Sequence, residues 1–148
     1  MKFIDTNVLV YYVDRRDSVK REKAKSIVVE AVRNGGFAIT YQSLNEFANI
    51  AQKKLQMTSA EVAVFLRMFK RMTLVEPQLS WTERAMSVRD RYDLQLYDSL
   101  LLVAAEDAGC DEFLSEDLNE GQLYCGIKAV NPFKWCPDPV RSTLQFMV

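Results

Sequence analysis

The chain has 148 residues, enough for one domain around a single buried core. Hydrophobic residues make up 49% and no low-complexity stretch occurs, which argues against intrinsic disorder. With 19 basic and 20 acidic residues the net charge is −1, so a polyanionic partner would have to be met by a local basic patch.

In chain order, residues 2–5 read as a short buried strand ending at Asp5. Ala24, Ile27, Val28, Ala31 and Val32 recur at helical spacing. They predict a helix over Ser18–Asn34, stopped by Gly35-Gly36. Phe37–Thr40 reads as a second strand. Ser43, Thr58 and Ser80 each stand three residues before a glutamate (Glu46, Glu61, Glu83), the capping-box spacing, and predict three helix starts. The helix after Thr58 turns Val62, Phe65, Leu66 and Phe69 inward; the one after Ser80 does so with Trp81, Ala85, Val88 and Tyr92. Leu74-Val75 between them reads as a short strand. Asp98 opens a helix over residues 99–108, closed by Gly109; its stretch 100–105 is apolar all round and therefore buried. Residues 111–115 and Ile127–Val130 read as the last strands. Alternating strands and helices imply an α/β domain with a mainly parallel sheet. The domain is expected to span 1–133, followed by a C-terminal tail, 134–148, with Pro137, Pro139 and apolar Leu144, Phe146, Met147 and Val148.

Apolar runs such as residues 100–105 fall far short of the ~20 residues of a membrane span. A carboxylate at Asp5 comes too early for a signal peptide, so a cytoplasmic location is expected. Cys110, Cys125 and Cys136 show no metal-ligand spacing and read as reduced thiols. There is no histidine. Imidazole bases, imidazole metal ligands and Ser-His-Asp chemistry are thereby excluded within the chain. Any catalysis must run through carboxylates, lysine, hydroxyls or thiols.

Ligands gather at the carboxyl ends of strands in an open parallel sheet. Four acids are predicted there. Asp5 ends the first strand, and Asp117 follows the strand at 111–115. Glu46 lies in the first turn after the second strand, and Asp98 heads the buried helix. Singly each has an ordinary explanation: a turn at Asp5, a capping box at Glu46, an N-cap at Asp98, a solvated loop acid at Asp117. Together they repel, at about 4 kcal/mol per ionised pair about 4 Å apart in an effective dielectric of about 20. With no histidine and no lysine beside these positions in sequence, a hard divalent cation is the simplest neutraliser. A cationic run, Arg15, Arg16, Lys20, Arg21, Lys23 and Lys25, is a candidate approach surface for RNA phosphates. Arg67, Lys70 and Arg71 form a second set. Apolar stretches within residues 43–71 offer a groove for a partner helix.

Four segments resemble the PIN domain family. They are Phe3-Ile4-Asp5-Thr6-Asn7-Val8-Leu9, Ser43-Leu44-Asn45-Glu46-Phe47, the run from Tyr97-Asp98-Ser99 to Ala105, and Phe113-Leu114-Ser115-Glu116-Asp117-Leu118 after Gly109. The ending Asn131-Pro132-Phe133 is similar to the VapC toxin branch. The resemblance implies a three-layer α/β/α domain with a five-stranded, mainly parallel sheet. It implies Mg²⁺- or Mn²⁺-dependent cleavage of RNA leaving a 5′-phosphate. Asp5, Glu46, Asp98 and Asp117 would hold the metal, with Asn7, Ser115 and Asn119 hydrogen-bonding around them. Many PIN domains carry a fifth acid where this chain has Asn119, so four acids are expected; Glu120 is a weak substitute. A homodimer and a cognate antitoxin protein are the implied partners. A non-catalytic binding module on the same fold is the alternative. A receiver or aspartyl phosphatase ranks lower, because the first strand offers one acid and no Asp-x-Asp.

Overall fold

The computed structural model describes residues 1–134. All of the expected tail except Lys134, including Cys136, lies outside the described residues.

Six strands form one sheet: β1 (Lys2–Ile4), β2 (Phe37–Thr40), β3 (Thr73–Val75), β4 (Glu112–Leu114), β5 (Leu123–Tyr124) and β6 (Ile127–Val130). Their order is β3-β2-β1-β4-β6-β5. Every neighbouring pair is parallel except β5 with β6. The expected count of five strands is corrected to six. The extra strand, β5, has two residues and turns back through Cys125 (φ 53°) and Gly126 (φ 79°). Both turn positions have positive φ, as a tight hairpin requires. A cysteine in place of the usual Asn or Asp hides that signal in the sequence.

Six helices accompany the sheet: α1 (Thr6–Val13), α2 (Ser18–Asn34), α3 (Tyr41–Lys53), α4 (Ser59–Phe69), α5 (Trp81–Tyr92) and α6 (Leu96–Asp107). The two-residue period of the strands divides the core. Phe3, Ala38 and Phe113 join the Leu101–Ala105 run of α6 together with Trp81 and Ala85 of α5. Ile4, Phe37, Ile39 and Leu114 join α1 to α4 through Val8, Val28, Phe47 and Phe69. Helices thus cover both faces, as a parallel sheet needs.

The α2 bounds match the sequence reading, with Gly35 at φ 71° closing the helix. Helix α1 is not expected from the sequence; Thr6, Val8, Val10 and Val13 are β-branched and lower helix propensity. Burial overrides that preference, since Val8 and Leu9 are wholly enclosed. Of three predicted capping boxes only Thr58–Glu61 forms. Helix α3 begins at Tyr41, capped by Thr40, whose hydroxyl accepts the Ser43 N–H. Ser80 makes no side-chain cap. Helix α6 starts at Leu96, so Asp98 is its third residue and not its cap. Cys110 and Cys125 are free thiols, and burial pushes Cys110 up to about 11. Among the described residues no helix is long and apolar enough to cross a membrane.

Candidate active site

The chain runs from β1 outward to β2 and β3, then returns to place β4 on the other side of β1. The direction of winding therefore reverses between β1 and β4, the place where open α/β sheets bind ligands. Asp5 follows β1 and Ser115 follows β4. The two exits are tied together: the Asp5 N–H donates to the Leu114 carbonyl at 3.0 Å, and the Ser115 hydroxyl donates to Asp5 Oδ2 at 2.6 Å.

A concavity of about 290 Å³ opens there, lined by Asp5, Glu46, Asp98 and Asp117. All four predicted acids reach it from four separate segments. Asp5 is the deepest, 6% exposed, and caps α1 by accepting the Thr6 N–H at 2.6 Å. Glu46 is in the second turn of α3, because the helix starts earlier than expected. That frees its carboxylate from capping. It accepts from the Thr6 hydroxyl (3.0 Å) and from Gln42 Nε2 (2.7 Å). Asp98 sits in the first turn of α6, where the helix dipole favours an anion. Asp117 is the most exposed of the four.

The surrounding polar groups hold these acids in place. Asn7 Nδ2 reaches Asp5 Oδ2 (3.3 Å) and Asp117 Oδ2 (3.1 Å), bridging two acids far apart in the sequence. Ser115 accepts the Asp117 N–H at 3.0 Å. Asn7 and Ser115 thus touch the acids directly. Asn119 does not: its amide donates to Gln122 Oε1 at 2.8 Å, and among the described residues it makes no hydrogen bond to the four acids. Glu120 is likewise engaged elsewhere, accepting the Asn131 N–H.

Residue 116 points the other way from its neighbours. Glu116 accepts from Tyr11 Oη at 2.6 Å and from Lys20 Nζ at 2.8 Å, and Lys20 also lies over the Tyr11 ring. This cluster pins the loop carrying Asp117 to α1 and α2. Lys20, expected at an RNA surface, is therefore committed within the fold. Lys20→Met should lower stability by about 1 kcal/mol, a charge-assisted contact discounted for its partial exposure. The melting temperature should fall by about 2–4 °C. An unchanged melting curve would show that the pair contributes nothing.

Electrostatics bind the four acids into one unit. Burial, with the charges of Asp98 and Asp117 adding, pushes Asp5 up to about 7, against the lowering effect of the Ser115 hydroxyl. Burial, then Asp117 and Glu46, raise Asp98 above the usual carboxylate range. Two cations also line the concavity, Arg16 and Lys54. Lys54 caps the C-terminus of α3, two turns beyond Glu46 and one beyond Ile50, so all three line the concavity from one helix face. Arg16 is occupied, with Asp14 accepting from its Nε and Nη2 at 2.9 Å each.

The donor chemistry suits a hard divalent cation: four carboxylates, a strongly raised Asp5, and a buried Asn7 Oδ1 that accepts no hydrogen bond. The spacing is open, and among the described residues no three Asp, Glu or Cys side chains stand close enough to hold a metal ion together. The fit is thus one of ligand type and charge, with the carboxylates still to be drawn together.

A sheet wound both ways from β1, with acids converging at the reversal, defines a class of α/β proteins whose site is built from carboxylates. The PIN domain family model matches residues 2–119, and the chain belongs to that family. It is similar in structure to a toxin–antitoxin complex from Klebsiella pneumoniae, with a TM-score of 0.65 and 21% identity over 89% of this chain and 98% of that one. It is also similar to VapBC2 from Rickettsia felis bound to a promoter DNA fragment, with a TM-score of 0.59 and 13% identity over 86% of this chain and 96% of that one. No curated protein sequence matches.

Proposed function

We propose that the chain is a Mg²⁺- or Mn²⁺-dependent endoribonuclease and the toxin of a toxin–antitoxin pair. The observation that carries this reading is the convergence of Asp5, Glu46, Asp98 and Asp117 on one concavity at the β1–β4 reversal. Membership of the PIN family supports it. Similarity to a toxin–antitoxin complex and to VapBC2 supports the partner.

Asp5, Asp98, Glu46 and Asp117 would hold the ion, which when bound supplies Lewis-acid polarisation of a phosphate and activation of a water. The protein's own part is placement. Ser115 and Asn7 fix the Asp5 and Asp117 carboxylates, and Thr6 and Gln42 fix Glu46. Such outer partners usually matter 10–100-fold to metal affinity. The apolar strand ends beneath the site limit its wetting on the core side.

The test is incubation of purified protein with single-stranded RNA and Mg²⁺, with the ends mapped. New 5′-phosphate ends are expected. In cells, expression should arrest growth, and co-expression of a cognate antitoxin should relieve the arrest. RNA that is bound but left intact would favour the non-catalytic binding module. Harmless overexpression would remove the toxin role while leaving nuclease chemistry standing.

A further inference from the structure

Beside the acidic concavity lies a larger one of about 620 Å³. Its walls are the loop after α1, the Arg21 and Lys25 side of α2, and the turn that follows α3 at Lys54. Five cations face two carboxylates, Asp14 and Glu61. Arg16 is held by Asp14, and Arg21 donates to the Tyr12 carbonyl at 3.4 Å. Arg15, Lys25 and Lys54 make no ion pair among the described residues. The floor carries Tyr12 and Phe65, packed edge to face with centroids 5.7 Å apart.

The two concavities adjoin. Asp14, Arg16 and Lys54 line both, and Lys54 is the one cation of the acidic side without an ion pair among the described residues. A basic trough with aromatic flooring is the usual means of tracking a single-stranded nucleic acid backbone. An acidic peptide would satisfy the same cations. It would gain nothing by continuing into a carboxylate pocket, whereas a nucleic acid strand continues to the phosphate on which a metal site acts. We propose that this trough binds the phosphates flanking the scissile one in a single-stranded RNA, with Lys54 on the adjacent phosphate. The inference rests on the nuclease reading and extends it to substrate length and path. It also revises the basic set expected from sequence: Arg15, Arg21 and Lys25 stay, Lys54 joins, and Lys20 leaves.

The test is fluorescence anisotropy with a labelled single-stranded RNA 10-mer and full-length chain carrying Asp98→Asn. Adding Lys54→Gln and Arg15→Gln should weaken binding about tenfold at low salt. The slope of log affinity against log salt should become shallower by about 1.4, roughly 0.7 for each phosphate no longer neutralised. In the active chain the same pair should raise KM for the 10-mer. Arg33→Gln with Arg89→Gln, exposed cations on α2 and α5 outside the trough, should leave both unchanged. An unaltered salt slope, an equal loss from the Arg33 and Arg89 pair, or equal competition by a polyglutamate 10-mer would each overturn the proposal. Binding needs no cleavage: a shallower slope with a wild-type chain that cuts nothing would leave the trough standing and fell the nuclease reading instead.

Discussion

Asp98→Asn should remove RNA cleavage while the protein stays folded. The expected loss in kcat/KM is at least about 10²-fold, more than the roughly 10–100-fold that partners outside a metal's ligands usually cost. The amide keeps the shape of the side chain, so packing at the start of α6 is preserved. Two stability effects oppose one another. The helix N-terminus loses an anion worth about 0.3–1 kcal/mol. Repulsion from Asp117 and Glu46, which with burial raises the Asp98 carboxyl, is relieved. The melting temperature in chelator should therefore move little or rise. Asn119→Ala is the matched control, because the Asn119 amide is turned to Gln122 and hydrogen-bonds none of the acids among the described residues. A folded Asp98→Asn protein that cleaves at the wild-type rate would remove Asp98 from the site.

Much of the fold was legible because the strongest signals were periodic or terminal. The α2 stripe and its Gly35 stop gave that helix to the residue. The Leu101–Ala105 run announced a buried helix, since an element apolar all round has nowhere else to go. The acids were legible for another reason: strand-end carboxylates without histidine have few structural uses in combination. Failures arose where tertiary contacts outweigh local preference. Helix α1 is β-branched yet helical, because Val8 and Leu9 are enclosed and Asp5 caps it. Glu46 sat in a plausible capping box, and only the earlier start of α3, set by Thr40, frees it for the site. Lys54 was missed although the helix period carries it: Glu46, Ile50 and Lys54 stand four residues apart and line the concavity together. Lys20 showed the converse, an exposed-looking cation held by Glu116 from 96 positions away. Charges distant in sequence are paired by topology, and the linear pattern cannot say which stay free.

Chelation should take activity to background, and Mg²⁺ or Mn²⁺ should restore it. The accompanying stability change has a definite sign. In the folded chain Asp5 titrates near 7, against 3.8 for an ordinary aspartate. Between those values the folded state binds more protons than the unfolded one, so stability in chelator falls as pH rises. The penalty is absent below about pH 4 and complete above about pH 7, with a slope of at most about 1.4 kcal/mol per pH unit from this group. A divalent ion binds the deprotonated carboxylate, so its stabilisation should grow over the same interval. The Mg²⁺-induced rise in melting temperature should accordingly be larger at pH 8 than at pH 5. Asp5→Asn should flatten the pH dependence in chelator and cut the Mg²⁺ effect together, since both originate in one buried carboxylate. A Mg²⁺ shift of equal size at both pH values would separate the ion from Asp5. Cleavage that persists in excess chelator would separate it from the chemistry altogether.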